Sequence, residues 1–111
     1  MLPKKFRLPV ENFDKVYHNG KKVRGNYGML VYSPNDIDNP RMGFVVSKKI
    51  GNAVLRHRMT RILRVAFMEI INEKNLSELS NDFQYIAFKY CEKKNDIKKD
   101  MENQFENILN D

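Results

Sequence analysis

Thirty consecutive residues, 39–68, contain seven lysines and arginines and no aspartate or glutamate. The rest of the chain holds 13 basic and 14 acidic residues, so the whole net charge of +6 comes from this one segment. A positive charge concentrated in this way predicts a surface that binds a polyanion. The seven bases are Arg41, Lys48, Lys49, Arg56, Arg58, Arg61 and Arg64.

The order of residue types in this segment predicts a strand, a turn and a helix. Residues 42–48 alternate as a strand does, Gly51 and Asn52 break it, and a helix with Asn52 as N-cap is expected over 53–74. Two lysines would then lie beside a helix amino terminus, whose free N–H groups and dipole attract phosphate. At about 100° per residue, Leu55, Met59, Ile62, Leu63, Ala66 and Ile70 share one face, and most of the bases lie opposite.

The closely spaced bases repel one another, and no acid inside the segment neutralises them. Two interpretations are open at this point. The helix presents a solvated face, or it binds an external anion, and the uncompensated repulsion favours RNA or DNA. Guanidinium groups fit phosphate oxygens and base edges, so lysine would not replace arginine equivalently there.

Catalytic and metal-binding patterns are missing from the sequence. His18, His57 and Cys91 are far apart and match no metal-ligand spacing. Asp36 and Asp38 form an Asp-x-Asp in a loop, where turn chemistry is favoured over a loose Mg²⁺ contact. Because no nucleophile motif, phosphate-binding loop or paired acid appears either, no catalytic residue is predicted.

Three aromatic residues form a second, weaker pattern outside the basic segment. Phe13 and Tyr17 are four residues apart on a helix predicted over 10–18, and Tyr32 ends a predicted strand. Core packing is the simpler interpretation of each of them. The alternative is that they line a groove between helix and sheet, in which unpaired bases stack.

Length and composition indicate one domain over residues 1–111 with a single modest core. The predicted order is α-β-β-β-α-β-α, an α/β two-layer sandwich with helices on a mixed sheet. The second and third strands are expected to pair as an antiparallel hairpin around the loop 33–40. Residues 83–90 read as a central strand, and a last helix is expected from about Asp96.

The setting predicted from the sequence is cytoplasmic, without a membrane anchor. No apolar run approaches the roughly 20 residues needed to span a bilayer, and no apolar stretch follows the charged amino terminus as in a signal peptide. Cys91 is the single cysteine of the chain and fits a reducing compartment.

The stretch from Gly43 to Arg64 resembles the signature of the bacterial ribonuclease P protein component family. Its most specific part is Ser-Lys-Lys-x-Gly-Asn-Ala-Val-x-Arg-x-Arg over residues 47–58. Residues 2–8, together with Phe13, Val16, Tyr17, Gly20 and Lys21, resemble the amino terminus of that family. The similarity spans the whole chain.

The resemblance implies a protein that binds a large catalytic RNA and the 5′ leader of precursor tRNA. The ribonucleoprotein is an endoribonuclease that removes the leader by Mg²⁺-dependent hydrolysis and leaves a 5′-phosphate. The RNA subunit does the chemistry, and the RNA and substrate hold most of the Mg²⁺. No DNA or membrane partner is implied. The implied topology resembles the second domain of small-subunit ribosomal protein five and contains a left-handed βαβ crossover, where the general rule predicts a right-handed one.

The resemblance also implies roles for particular residues. Two positions depart from the family pattern, since His57 stands where an asparagine is expected and Thr60 where a basic residue is expected. The cleft for the single-stranded leader is implied to be lined by Phe13, Tyr17 and Tyr32. Contacts with the catalytic RNA are implied for Lys48, Lys49, Asn52, Arg56, His57, Arg58, Arg61 and Arg64.

Three other functions compete with this interpretation. A general RNA-binding or ribosomal accessory protein would use the same basic helix without a role in processing. A DNA-binding protein would place that helix in a major groove, but no turn-linked helix precedes it as in a helix-turn-helix unit. A standalone nuclease would need a cluster of acids or histidines, which the sequence does not supply.

Overall fold

The computed structural model describes residues 2–110 and has the predicted order of elements. Met1 and Asp111, the ends of the predicted domain, lie outside the described residues. Short 3-10 turns cover Lys4–Phe6, Val10–Asn12 and Lys48–Ile50. The longer elements are α1 (Phe13–Asn19), β1 (Lys21–Arg24), β2 (Gly28–Pro34), β3 (Arg41–Val45), α2 (Ala53–Glu73), β4 (Asn81–Ala87) and α3 (Lys94–Leu109).

The four strands form one mixed sheet in the order β1-β2-β4-β3. β2 is antiparallel to β1 and β4, whereas β3 is parallel to β4. The predicted hairpin between β2 and β3 is therefore wrong, because β4 lies between them. The prediction of a central β4 is confirmed. Five of its seven residues are buried, so the strand needs a neighbour on each edge and cover on each face.

Helix α2 connects the parallel pair β3 and β4 and forms as predicted. Its N-cap is Asn52, whose side-chain Oδ1 accepts a hydrogen bond from the Leu55 N–H at 3.0 Å. The helix begins at the predicted residue and ends one residue earlier than predicted. The side chains that it buries are Met59, Leu63, Ala66, Phe67, Ile70 and Ile71.

The sheet separates two apolar clusters of different size. Helices α2 and α3 cover one face and form the large cluster with β-strand residues such as Leu30, Phe83 and Tyr85. On the other face, the short helix α1 contacts β2 and β4, and Val16 packs with Val31 in a small cluster. Because α1 is only seven residues long, part of this second face stays open.

Helix α3 begins two residues before the predicted start and holds the β1–β2 turn through buried polar contacts. The Asp100 carboxylate accepts hydrogen bonds from the backbone N–H groups of Asn26 (2.9 Å) and Tyr27 (3.0 Å). The Gln104 amide donates to the carbonyls of Val23 (2.9 Å) and Gly28 (3.1 Å). These four bonds fix β1 and its turn against the main body of the domain.

Candidate nucleic-acid interface

The chain passes from β3 into a turn that presents two lysines in front of α2. Lys48 and Lys49 lie in a 3-10 turn, and both are exposed. Gly51 follows with φ of 148°, a backbone conformation that favours glycine. A Cβ there would also lie 2.8 Å from Leu55 Cδ1. Gly51 therefore allows the sharp change of direction that puts the lysines beside the amino terminus of α2.

The predicted cationic face of α2 is present on the surface. His57, Arg58 and Arg61 are exposed, whereas Arg56 and Arg64 are half-buried. Within residues 2–110, no carboxylate lies within ion-pair distance of Lys48, Lys49, Arg56, Arg61 or Arg64. We call the lysine turn, together with Arg56, Arg58, Arg61 and Arg64, the basic face. Except at Arg58, its cations have no acidic partner in the described part of the chain.

Arg58 differs from the other arginines of α2 because it contacts Tyr90 and Glu92 in the segment before α3. Its Nη1 atom lies 3.5 Å from the Tyr90 hydroxyl and 3.8 Å from Glu92 Oε2. The hydrogen bond with Tyr90 is the main cause that raises the pKa of Arg58, and Glu92 adds to the rise. Half of the Arg58 side chain is still exposed, so an incoming phosphate can reach the guanidinium.

Thr60 does not offer a free donor to a phosphate. Its hydroxyl donates a hydrogen bond to the Arg56 carbonyl at 2.9 Å, one turn back along the helix. The side chain therefore stands in the basic face as a short, mostly apolar group. Thr60 therefore does not supply the positive charge that the family pattern expects at this position.

Arg41 has a role unlike that of the other six bases in the segment. Its guanidinium donates two hydrogen bonds to the Asp82 carboxylate, from Nε at 2.8 Å and from Nη2 at 2.9 Å. The bond to Asp82 raises the pKa of Arg41 against the opposing effect of burial. This pair joins the starts of β3 and β4, so Arg41 supports the sheet.

Helix α1 brings Phe13 and Tyr17 to the less covered face of the sheet. The Phe13 ring lies on Gly43 of β3, where any Cβ would collide with it. Tyr17 is 39% exposed, and the Lys22 ammonium lies 4.7 Å from the centre of its ring. Lys22 also donates to the Tyr17 carbonyl at 3.0 Å. Both aromatic rings thus border one surface.

Tyr32 lies on the opposite face of the sheet from these two rings. It stands opposite Phe83 in the β2–β4 register and packs against the large cluster under α2 and α3. Its neighbour Val31 is the residue that faces α1. The predicted grouping of Tyr32 with Phe13 and Tyr17 is therefore wrong, because successive strand residues point to opposite faces.

A row of residues not predicted from the sequence completes the groove beside α1. Arg24, Met29, Ile86 and Val45 stand next to one another across β1, β2, β4 and β3. Met29 and Ile86 pack against the small cluster with Phe13, which places this row on the α1 face. The Arg24 guanidinium lies 4.4 Å from the centre of the Phe88 ring. We call this row, with Phe13 and Tyr17, the groove.

The groove leads directly to the basic face. Val45 ends β3 at one end of the row, and the lysine turn begins three residues later. The row of side chains across the four strands can be recognised only from the strand register. The sequence signal that could have indicated it is the alternation of side chains between the two faces in β2 and β4, which becomes informative once the pairing of these strands is known.

Two further findings concern the described range of the chain. Among residues 2–110, no three side chains of His, Cys, Asp or Glu lie close enough together to hold a metal ion. None of the helices in the same range combines the length and hydrophobicity that a membrane crossing requires.

Comparison with known proteins gives consistent matches over the whole fold. A family model described as ribonuclease P matches residues 2–110. The ribonuclease P protein component of Fusobacterium nucleatum is 32% identical over 103 residues, which cover 86% of this chain and 88% of that protein. The corresponding protein of Syntrophomonas wolfei is 40% identical over 70 residues, which cover 62% of this chain and 59% of that relative.

Solved structures show the same similarity. A Staphylococcus aureus RNase P protein, a mutant with defective mRNA degradation activity, matches with a TM-score of 0.77 at 25% identity, covering 96% of this chain and 90% of that one. The RNase P protein from Thermotoga maritima shares the fold, with a TM-score of 0.75 at 23% identity over 87% of this chain and 92% of the other.

Proposed function

We infer, since this chain belongs to the ribonuclease P protein family, that it binds the catalytic RNA of ribonuclease P and assists removal of the 5′ leader from precursor tRNA. The observation that supports this proposal best is the basic face, whose cations have no acidic partners in the described chain except at Arg58. An uncompensated row of guanidinium groups is stabilised by the phosphates of a nucleic acid.

In this proposal the basic face docks on the catalytic RNA. Arg61 and Arg64 lie one helical turn apart, about 4.5 Å along the axis, so they can contact phosphates on one stretch of backbone. Planar guanidinium groups bind two phosphate oxygens at once, which fixes orientation as well as charge. Lys48 and Lys49 extend the contact to the amino terminus of α2.

The groove is the proposed site of the single-stranded leader. Its floor is half-buried and apolar, as the faces of unstacked bases require, and Tyr17 offers an exposed ring at its border. Lys22 and Arg24 place positive charge beside the aromatic rings, where the leader phosphates would pass. The groove ends next to the lysine turn. The proposed leader site and the proposed binding surface for the catalytic RNA would therefore be continuous.

In this proposal the protein supplies positive charge and positions the RNA subunit and the leader. No side chain is proposed to act as acid, base or nucleophile. The described residues do not gather carboxylates into a Mg²⁺ site, so the Mg²⁺ of the reaction is proposed to be held by the RNA subunit and the substrate. Positive charge near the phosphates lowers their mutual repulsion and allows the RNA to fold and bind substrate at lower Mg²⁺.

Reconstitution with a bacterial ribonuclease P RNA tests this function. We expect the purified protein alone to leave precursor tRNA intact, and the mixture to release the 5′ leader at a Mg²⁺ concentration where the RNA alone is nearly inactive. Denaturing gel electrophoresis of end-labelled substrate measures the rate. A heat-unfolded sample of the same protein is the control for non-specific effects of positive charge.

Two outcomes would contradict the proposal. Cleavage of precursor tRNA by the protein alone would require a catalytic site in the chain. Tight binding to the RNA subunit without any stimulation would instead support the general RNA-binding protein considered above.

Tyr17→Ala tests the groove. Because Tyr17 is exposed, we expect the variant to fold normally and to lose about tenfold in affinity for precursor tRNA with a long leader, the contribution of roughly one stacked base. Affinity for mature tRNA should not change. The measurement is binding to the reconstituted ribonucleoprotein with both RNAs.

Tyr32→Ala is the matched control for this prediction, since Tyr32 packs on the other face of the sheet. Tyr32→Ala should lower the thermal stability of the protein. It should not reduce affinity for long-leader precursor tRNA more than affinity for mature tRNA. Equal losses for leader-containing and mature tRNA in Tyr17→Ala would exclude the groove as the leader site.

A further inference from the structure

The outer edge of the sheet at β3 is only partly covered. β3 is an edge strand, and the amino-terminal segment pairs with it at a single point. There the Leu8 N–H donates to the Met42 carbonyl at 3.1 Å. The N–H and C=O of a strand residue point to the same side, and this side alternates from one residue to the next. The N–H and C=O of Phe44, two residues after Met42, therefore also point outwards. No partner for them exists among the described residues.

A cavity of about 290 Å³ lies at this uncovered edge, between the groove and the basic face. Its lining is mainly apolar and includes Leu8, Phe13, Met42 and Phe44. Arg7 and, from α2, Thr60 and Arg64 also line it. We call this cavity the edge cup. Thr60 leaves the cup open because its side chain is short.

The charges around the edge cup indicate what it can bind. Arg7 donates from Nε to the Leu2 carbonyl at 2.8 Å, which holds the side chain in place and leaves both terminal nitrogens available. Within residues 2–110, neither Arg7 nor Arg64 has a carboxylate within ion-pair distance. An apolar cavity lined by two guanidinium groups without an acidic partner in the described chain fits a flat ring with phosphates attached to it.

We propose that the edge cup binds one unstacked base of a single-stranded RNA. The base would stack among the apolar side chains, its edge would bond to the free N–H and C=O of Phe44, and its flanking phosphates would contact Arg7 and Arg64. The proposal rests on the proposed function in that the ligand is RNA. It adds a second base-binding position, on the outer side of Phe13, that connects the groove with the basic face.

Filling the cup tests the proposal. Thr60→Met adds apolar volume without changing charge, and Thr60→Val is the matched control that removes the hydroxyl but keeps the shape. The probe is a five-nucleotide oligoadenylate, compared with the same oligonucleotide carrying one abasic site at each position in turn. Fluorescence anisotropy gives the affinities, and the backbone amide of Phe44 is followed by NMR in the unsubstituted protein.

We expect Thr60→Met to lose about tenfold in affinity for oligoadenylate, on the scale of one stacked base, while Thr60→Val binds like the unsubstituted protein. One abasic position should cause a similar loss in the unsubstituted protein and no further loss in Thr60→Met. The Phe44 amide should shift when oligoadenylate is added. This last result does not depend on how well either variant folds.

Equal affinities of Thr60→Met and Thr60→Val, or a Phe44 amide that does not move, would overturn the proposal. If ribonuclease P RNA still binds in that case, only the edge cup is excluded and the proposed function stands. If ribonuclease P RNA does not bind either, the proposed function fails as well. Movement of the Phe44 amide by an extended peptide but not by RNA would assign the edge to a protein partner, and would also overturn it.

Discussion

Replacing Arg58 and Arg61 together by alanine should weaken binding to ribonuclease P RNA by about 100-fold, because two charge-assisted contacts with phosphate are lost. The dependence of log affinity on log salt should become less steep by about one, since the Arg61 contact contributes roughly 0.7–0.9 and Arg58, which is paired with Glu92, contributes less. Both side chains are exposed and lie outside the core, so folding should not change.

Titrations of the RNA subunit at a series of potassium chloride concentrations measure both effects. The matched control is the double variant Lys93→Ala and Lys99→Ala, which removes the same charge from exposed positions before and within α3. It should change the affinity only slightly. An Arg58 and Arg61 variant with the same slope as this control would show that the cationic side of α2 does not contact phosphates.

Asp82→Ala should lower the free energy of unfolding by about 3–5 kcal/mol, a large part of the roughly 5–15 kcal/mol typical of a domain. The Asp82 carboxylate is buried and accepts two hydrogen bonds from Arg41 and one from the Asn35 amide at 2.9 Å. Its removal leaves the Arg41 guanidinium, itself mostly buried, without a partner at the start of β3. Urea denaturation followed by circular dichroism measures the change.

Two companion variants make this prediction specific. Asp36→Ala removes an exposed carboxylate from the neighbouring loop and should change stability by less than about 0.5 kcal/mol. The double variant Asp82→Ala with Arg41→Met removes both charges and should recover much of the loss. If the double variant is no more stable than Asp82→Ala, the unpaired guanidinium is not the cause.

Local signals in the sequence were sufficient to predict α2 and its surroundings. The apolar repeat from Leu55 to Ile70 extends over about four turns, and Asn52 stands one residue before the helix, so cap and period agree without help from the rest of the chain. The basic face follows from the same periodicity. The order of helices and strands was also predictable, because each strand is bounded by turn-forming residues.

The pairing of strands was not predictable in the same way. β2 and β3 are consecutive, and a loop of six residues between them favours a hairpin, yet β4 enters between them from 36 residues later. The apolar character of both faces of β4 indicates a central strand but does not say between which two strands it lies, and that choice depends on packing over the whole sheet. Without the register, the face of Tyr32 and the row from Arg24 to Val45 could not be assigned.

The contact between Arg58 and Glu92 gives one arginine of the basic face a counterion that belongs to the chain itself. A phosphate that bound Arg58 would have to displace this carboxylate, and the Arg58–Glu92 pair as a whole carries no net charge. The proposed contact would therefore neutralise less phosphate charge than the contacts of Arg61 or Arg64, and we expect it to depend less on salt. Glu92 is also tethered beside the guanidinium, where it would compete with a bound phosphate at high effective concentration. We therefore expect Arg58 to be the position on the basic face from which a phosphate dissociates most readily.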